Sequence, residues 1–325
     1  MRAKAQPGKR APEAYAPNLG YVLIGAAACC WGGSATLGRA MFTGRVAQAV
    51  SPLVLTQMRV TLAALALLAA VAILRRGAIF LPRREAAAAV LLGVVGMATS
   101  NVLFYTAIER TNVAVAIIVQ FTAPIWVLVY MVARGRQRAT WARVGAVVLA
   151  FAGVALVLGV MGAGWRFFPA GGLDALGVGA ALASAFTFAY YNIGGEKLAT
   201  RADAILVSLH MLVGAALVLL VAHPPWLVWR AHYGGPEWVF FAEFSLLATL
   251  APTLLYLSGL RFLDPTRAVV TSCLEPVSGI LLAAYFLGER LVWTTGLGVV
   301  CVLSAILLVQ RRSGGEPDPP ARISA

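Results

Sequence analysis

Residues 266–287 of the chain are TRAVVTSCLEPVSGILLAAYFL. This stretch is 22 residues long, and its only Lys, Arg, Asp or Glu residues are Arg267 and Glu275. An apolar helix of about 20 residues crosses the roughly 30 Å hydrocarbon core of a bilayer. The stretch therefore predicts a membrane-spanning helix that carries a carboxylate and a proline, Pro276, near its middle.

The whole chain has the composition of an integral membrane protein. Of its 325 residues, 60% are apolar and only 12% are charged, and the mean hydropathy is +0.83. Soluble globular domains are about 45–50% apolar and about 25% charged. So few charges cannot cover the surface of a soluble fold of this length, and the same figures exclude disordered and collagen-like chains.

Further apolar stretches, bounded by charges, proline or glycine, occur along the chain. We predict an all-α integral membrane protein with ten transmembrane helices. The predicted spans are 19–38, 52–74, 86–108, 112–133, 140–162, 175–195, 204–222, 239–260, 266–287 and 291–310.

The distribution of basic residues predicts the orientation. Assigning alternate loops to the cytoplasm places 19 of the 26 Lys and Arg residues there, which satisfies the positive-inside rule. We therefore expect a multi-pass protein of the cell inner (plasma) membrane, with cytoplasmic tails at 1–18 and 312–325. The net charge of +13 would suggest a nucleic-acid partner in a soluble chain, but its confinement to short loops predicts none.

An internal repeat relates the two halves of the chain. At an offset of 152 residues Pro124 meets Pro276, and Asn101 meets Thr253. Each half supplies five helices, so the halves at 19–162 and 175–311 enter the membrane from opposite sides. We predict two inverted five-helix repeats joined by a periplasmic connection at 163–174, an arrangement common among secondary transporters.

Polar side chains inside predicted spans are the candidate substrate-binding residues, because such groups are costly in lipid and belong in the protein interior. Tyr190, with its neighbours Tyr191 and Asn192, is the candidate of the sixth span. The two aligned prolines are candidate hinges, because proline interrupts a helix. The predicted substrate-binding residues are Trp31, Arg59, Asn101, Tyr105, Gln120, Tyr190, Thr253, Tyr256, Ser272 and Glu275, and the predicted hinges are Pro124 and Pro276.

The two intramembrane charges each allow two interpretations. Glu275 either contacts the ligand or carries a proton, or else it caps the broken helix or pairs with Arg59 to hold the bundle together. Arg59 either neutralises a carboxylate of the substrate or binds helix-end carbonyls. Each of the other polar candidates could equally join helices through hydrogen bonds.

Signatures of an enzyme or of a metal site are missing from the sequence. The three histidines and four cysteines are not at metal-ligand spacing, and no phosphate-binding loop or nucleophile motif occurs. We therefore expect no catalytic residues, no metal and no cofactor, and we expect the protein not to be an enzyme. Without a nucleotide-binding domain, any pumping must draw on gradients of ions or solutes.

Five short motifs, in this order on a ten-span chain with two repeats, carry a family resemblance. They are Trp31-Gly32-Gly33-Ser34, Met58-Arg59, Pro124, Leu274-Glu275-Pro276-Val277 and Leu287-Gly288-Glu289-Arg290. The chain resembles the drug/metabolite transporter superfamily, and most closely its ten-helix EamA-type family. The resemblance implies a bundle of two inverted repeats that transports, and in many members exports, small organic solutes such as amino acids.

One motif departs from the family pattern. A Gly-Glu pair usually follows the proline-bearing helix of each half, but here the first half has Arg134-Gly135-Arg136. This departure argues against a symmetric pair of gating carboxylates.

We expect a secondary transporter that exports amphipathic metabolites such as aromatic amino acids and works by alternating access. One bundle can hold a complete site, so a monomer is sufficient. Protons are the candidate coupling ion. The alternatives are an uncoupled facilitator or channel and, less favoured, an intramembrane enzyme acting on lipid-linked substrates.

Overall fold

The structure is a computed structural model and describes residues 17–42, 50, 52–75, 79–111, 113–158, 174–287 and 293–311. Regular secondary structure in these residues is helical throughout. The long helices are α1 (Pro17–Phe42), α2 (Pro52–Leu74), α3 (Arg83–Arg110), α4 (Val113–Gln120 and Ala123–Ala133), α5 (Trp141–Val157), α6 (Ala175–Ala199), α7 (Ala204–Ala222), α8 (Gly235–Gly259), α9 (Pro265–Ser272 and Leu274–Leu287) and α10 (Trp293–Arg311). A short helix, Pro225–Arg230, lies between α7 and α8.

Within the described residues, eight helices are long and apolar enough to cross a membrane. They are α2, α3, α4, α6, α7, α8, α9 and α10. The apolar helix α5 is shorter, with 17 residues, and α1 has 26. The all-helical membrane fold is therefore confirmed, whereas membrane crossing by the first and fifth predicted spans stays a prediction.

The helices leave a largely apolar surface on the outside of the bundle. Val22, Ile73 and Val221 are 66%, 74% and 82% exposed. Such a surface is stable against lipid rather than against water. The fold is therefore that of a multi-pass membrane protein.

Helices of one half pack mainly against helices of the other half. Helix α5 packs along α10, and α2 packs along α7. Helix α1 lies against α8 and α9, and correspondingly α6 lies against α3 and α4. Corresponding helices of the two halves thus make corresponding contacts, as expected when two repeats are related by a two-fold axis.

The direction of one packed pair agrees with inverted repeats. Gly145 of α5 faces Leu308 near the end of α10, and Gly153 further along α5 faces Gly298 near the start of α10. The two helices therefore run antiparallel. The sequence predicts five spans in each half. With an odd number of spans per half, the fifth and tenth helices cross the membrane in opposite directions, which agrees with the antiparallel packing.

Interruptions of the regular helix occur at matching places in the two halves. Helix α3 contains a π-helical segment, Leu92–Ala98, and α8 contains another, Leu246–Leu250. Each ends three residues before an aligned polar residue, Asn101 or Thr253. A π-helical turn holds an additional residue and often marks a functional site. The two segments therefore indicate that the functional site lies in the adjacent interior of the bundle.

Helices α4 and α9 are each broken next to an aligned proline. The break in α4 is a turn at Phe121 and Thr122, just before Pro124, and the break in α9 is at Cys273, before Pro276. Proline has no backbone N–H and its ring collides with the preceding helical turn. Both breaks therefore follow directly from the local sequence.

Polar contacts distinguish the two ends of the bundle. Arg75 pairs with Asp203 at 2.9 Å, and Arg136 pairs with Glu196, also at 2.9 Å, at one end. At the opposite end, Arg110 pairs with Asp174 at 3.1 Å. We call the end that carries Arg75 and Arg136 the inner end, because the charge distribution predicts that it faces the cytoplasm.

Candidate functional site

An aromatic cluster from both halves occupies the interior between α1, α6 and α8. The ring centroids of Trp31 and Tyr256 are 5.2 Å apart, and those of Tyr191 and Tyr256 are 5.8 Å apart. Phe188 stacks on Tyr191 at 6.0 Å. Trp31 and Phe188 are only partly buried.

Hydrogen bonds fix the central ring of this cluster. Tyr256 is fully buried and its hydroxyl donates to Oδ1 of Asn192, which is also fully buried. The Asn192 side chain in turn donates from Nδ2 to the Phe188 carbonyl at 2.8 Å. Ser272, the last residue before the break in α9, lies beside the Tyr256 hydroxyl. The aromatic surface is thus held in one orientation.

A close approach of α1 and α9 places Trp31 next to the broken helix. A Cβ atom on Gly32 would lie 2.4 Å from the Glu275 carbonyl oxygen and 2.6 Å from the backbone nitrogen of Gly279. Only glycine leaves room for this contact, which explains the Trp31-Gly32 pair of the first motif. The same contact brings Glu275 to the side of the aromatic cluster.

Two opposite charges from the two halves lie within electrostatic range of each other near this cluster. Arg59 of α2 donates from Nη2 to Oδ1 of Asn101 in α3 at 2.9 Å. Glu275 of α9 lies within electrostatic range of Arg59, but the guanidinium is bonded to the amide and not to this carboxylate. The Nε atom of Arg59 is buried, and no described residue accepts a hydrogen bond from it. Since the two charges do not bond each other, a ligand with both an acidic and a basic group can bridge them.

A polar network connects the break in α4 to α3 and α6. Gln120, the last residue before this break, donates from Nε2 to the Ser184 hydroxyl at 2.8 Å. Ser184 donates to the Ser100 carbonyl at 3.1 Å and is fully buried. The network joins the halves, which agrees with the interpretation of such groups as hydrogen-bonded links between helices.

The remaining predicted site residues fall into two groups. Thr253 is buried on α8, and Tyr105 is partly buried on α3. Tyr190, in contrast, is 38% exposed on the stripe of α6 that also exposes Leu182 and Phe186. The structure therefore does not bring Tyr190 into the cluster, because that stripe faces outward.

Tyr191, Asn192 and Ser184 are buried polar residues of α6. The last of these was not a predicted site residue, and the first two entered only as neighbours of Tyr190. Helical periodicity was the available signal, since Ser184, Phe188, Tyr191 and Asn192 repeat every three or four residues. Among the described residues, no group of three or more His, Cys, Asp and Glu could hold a metal ion.

Comparisons with known proteins agree with this architecture. A crystal structure of another protein superposes with a TM-score of 0.71 over 91% of this chain and 99% of its own, at 18% sequence identity, which shows a shared fold. An uncharacterized inner membrane transporter of Salmonella typhimurium, YicL, is 25% identical over 70% of this chain and 74% of its own length. The uncharacterized transporter YwfM of Bacillus subtilis is 30% identical over 68% of this chain and 72% of its own.

The family model for EamA-like transporters matches the chain twice, at residues 18–159 and 175–311. The two matches coincide with the two halves that the repeat predicts, and together they cover most of the chain. The protein is therefore a membrane transporter, and the chain belongs to the EamA-like transporter family.

Proposed function

We propose that the protein is a secondary exporter of small amphipathic metabolites that carry both a carboxylate and an amino group, such as aromatic amino acids. The observation that carries this proposal is that Arg59 of the first half and Glu275 of the second lie within electrostatic range of each other, with Glu275 on the helix segment that packs against Gly32, next to Trp31 of the Trp31–Tyr256 pair. Charges within a membrane cost about 2.5–3.5 kcal/mol each on insertion scales, so two opposite charges that do not bond each other favour a ligand that bridges them.

Each chemical part of such a solute has a matching group. The carboxylate binds the guanidinium of Arg59, whose planar donors suit two carboxylate oxygens. The ammonium group binds the Glu275 carboxylate. An aromatic or aliphatic side chain packs on Trp31 and Tyr256, where ring contacts add about 0.5–1.5 kcal/mol beyond the buried area.

Movement follows from the breaks in α4 and α9. In the proposed cycle the two halves rock around the site, with Pro124 and Pro276 as hinges, and expose the site to one side at a time. The protein lies in the inner membrane with both tails in the cytoplasm, works as a monomer and moves solute outward. Protons are the proposed coupling ion, with Glu275 as the proton carrier.

Counterflow in proteoliposomes tests the proposal. The labelled solute is phenylalanine, and the competitors are phenylacetate, which lacks the amine, and phenethylamine, which lacks the carboxylate. We expect exchange of phenylalanine and weak competition by both analogues. Glu275→Gln and Arg59→Lys should each reduce exchange at least tenfold, whereas Glu243→Gln, a carboxylate exposed on α8, should change it less than twofold.

The outcomes separate the alternatives. Uptake driven by a proton gradient in wild type but not in Glu275→Gln supports proton coupling. Equal exchange by wild type and Glu275→Gln, with or without the gradient, would identify an uncoupled facilitator. If no zwitterionic solute exchanges, the proposed substrate class is wrong.

A further inference from the structure

We propose that the turn after α4, residues 134–137, is the inner gate of the transport pathway. Resting on the proposed function, this proposal names the contacts that must break before solute can enter from the inner end. The gate consists of Arg136 with Glu196 and of Gln137 with Thr266. Each pair joins the first half of the chain to the second.

The backbone of the turn directs both side chains across the end of the bundle. Gly135 adopts a φ of +64°, a left-handed conformation that glycine tolerates best. The Gly135 amide donates to the Val132 carbonyl, and the Arg136 amide donates to the Met131 carbonyl, both at 2.9 Å. This pattern is a Schellman cap, which ends the helix and reverses the chain. The next two residues therefore project toward α6 and α9.

Arg136 makes the first gate contact. Its Nη2 atom donates to both carboxylate oxygens of Glu196, at 3.0 and 2.9 Å. The Glu196 side chain is only 16% exposed, so the pair is partly shielded from water and from salt. Where the family pattern places an acid after the glycine, this chain places a base and takes the acid from the end of α6.

Gln137 makes the second gate contact. It is 3% exposed, and its Oε1 atom accepts a hydrogen bond from the Thr266 hydroxyl at 2.7 Å. The Nε2 atom of Gln137 is also buried, and no described residue accepts a hydrogen bond from it. A buried amide with an unsatisfied donor is a weak point in the closed arrangement, because the lost bond to water is not replaced.

A short rigid segment connects this gate to the site. Thr266 lies at the start of the first segment of α9, Pro265–Ser272, which Asp264 caps by accepting from the Arg267 amide at 3.0 Å. The segment is eight residues long, about 12 Å of helix, and it ends at Ser272, just before the break at Cys273. Because Ser272 lies beside the Tyr256 hydroxyl, a shift at the aromatic cluster on binding solute can displace Thr266 and open the gate.

The test measures access to a buried thiol and needs no substrate. Cys273 lies at the break in α9 and is fully buried. In a full-length protein with Cys29, Cys30 and Cys301 replaced by alanine, a membrane-impermeant maleimide is applied from the inner or the outer face. We expect Arg136→Glu to raise the labelling rate from the inner face about tenfold and to leave the outer rate unchanged or lower.

The charge-swapped double variant Arg136→Glu/Glu196→Arg should restore the slow rate. Lys197→Glu, an exposed charge reversal beside Glu196, should leave it unchanged. Gln137→Leu should raise the rate of labelling from the inner face, because it removes the hydrogen bond to Thr266 without changing any charge.

Unchanged inner labelling in both Arg136→Glu and Gln137→Leu overturns the gate, and so does an equal rise from both faces, which would identify general loosening. The gate stands if labelling behaves as expected while no solute exchanges in proteoliposomes. In that case the proposed substrate is wrong and the gate is not.

Discussion

Gly153 of α5 and Gly298 of α10 face each other where the two helices cross. A Cβ atom on Gly298 would lie 2.6 Å from the Gly153 carbonyl oxygen, and one on Gly153 would lie 2.9 Å from the Gly298 carbonyl oxygen. The two backbones are therefore in direct contact. This contact between the last helices of the two halves requires glycine on both sides.

Gly298→Ala should destabilise the protein, because a methyl group has no space between the two backbones. Overpacking of this kind costs about 1–3 kcal/mol. Gly296→Ala, two residues earlier on the same helix, meets nothing within 4 Å and should be neutral or stabilising, since alanine favours the helix by about 0.5–1 kcal/mol. Thermal unfolding in detergent compares the two variants. Equal midpoint temperatures would contradict the close contact between Gly153 and Gly298.

Tyr256→Phe should lower stability without removing the aromatic surface. The variant keeps the ring beside Trp31 but leaves the buried Oδ1 of Asn192 without its donor, at a cost of about 1–3 kcal/mol. Tyr105→Phe is the control, since this tyrosine is only partly buried. Thermal unfolding is again the measurement, and an unaffected Tyr256→Phe would show that the hydrogen bond contributes little.

Trp31→Ala should reduce affinity for aromatic solutes more than for aliphatic ones. The variant removes the ring that packs on Tyr256 at 5.2 Å, and ring contacts are worth about 0.5–1.5 kcal/mol, equivalent to a two- to tenfold change. Competition of phenylalanine against alanine in counterflow measures this ratio. A parallel loss for both solutes would mean that Trp31 supports the fold rather than the binding surface.

Asp203→Asn should weaken the protein at neutral pH and have little effect in acid. Although burial opposes its ionisation, the ion pair with Arg75 and the amide donors of Leu206 and Ile205 hold the pKa of Asp203 below its ordinary value. The pKa of Asp203 is therefore lower in the folded state than in the unfolded state, where it is about 3.9. The ionised carboxylate stabilises the fold when the pH is above the unfolded-state pKa, and this stability is lost as the pH falls through the folded-state pKa.

Since the pair is partly exposed, the expected loss at pH 7 is about 0.2–1 kcal/mol, and it should shrink below pH 4. Unfolding in detergent between pH 3 and pH 7 measures the difference between wild type and variant. A difference that is constant with pH would exclude the ionised carboxylate as its source. Arg75→Gln should reproduce the loss at pH 7.

Local chemistry explains what the sequence predicted well. Span length depends only on bilayer thickness, and the breaks before Pro124 and Pro276 depend only on the proline ring. The repeat predicted which helices correspond, and the reciprocal packing of α1 and α6 agrees with it. These features require no knowledge of tertiary contacts.

Other features depend on contacts that composition does not encode. Helix α6 is apolar on nearly all sides, so its hydrophobic pattern marks no interior face, and only the helical spacing of Ser184, Phe188 and Asn192 distinguishes the side of Tyr191 from that of Tyr190. The π-helical segments carry no local sequence signal. The Glu196 partner of Arg136 lies 60 residues away, and only the fold brings the two together.

The reciprocal packing of the halves has a consequence for how such a chain can be divided. Because α5 meets α10 and α2 meets α7, each half buries its surface against corresponding helices of the other half, and α5 and α10 run antiparallel. The interface inside this chain therefore has the form of a subunit interface in an antiparallel dimer. Two polypeptides, each carrying one half, should assemble in the membrane as a heterodimer, and neither alone should form a stable bundle.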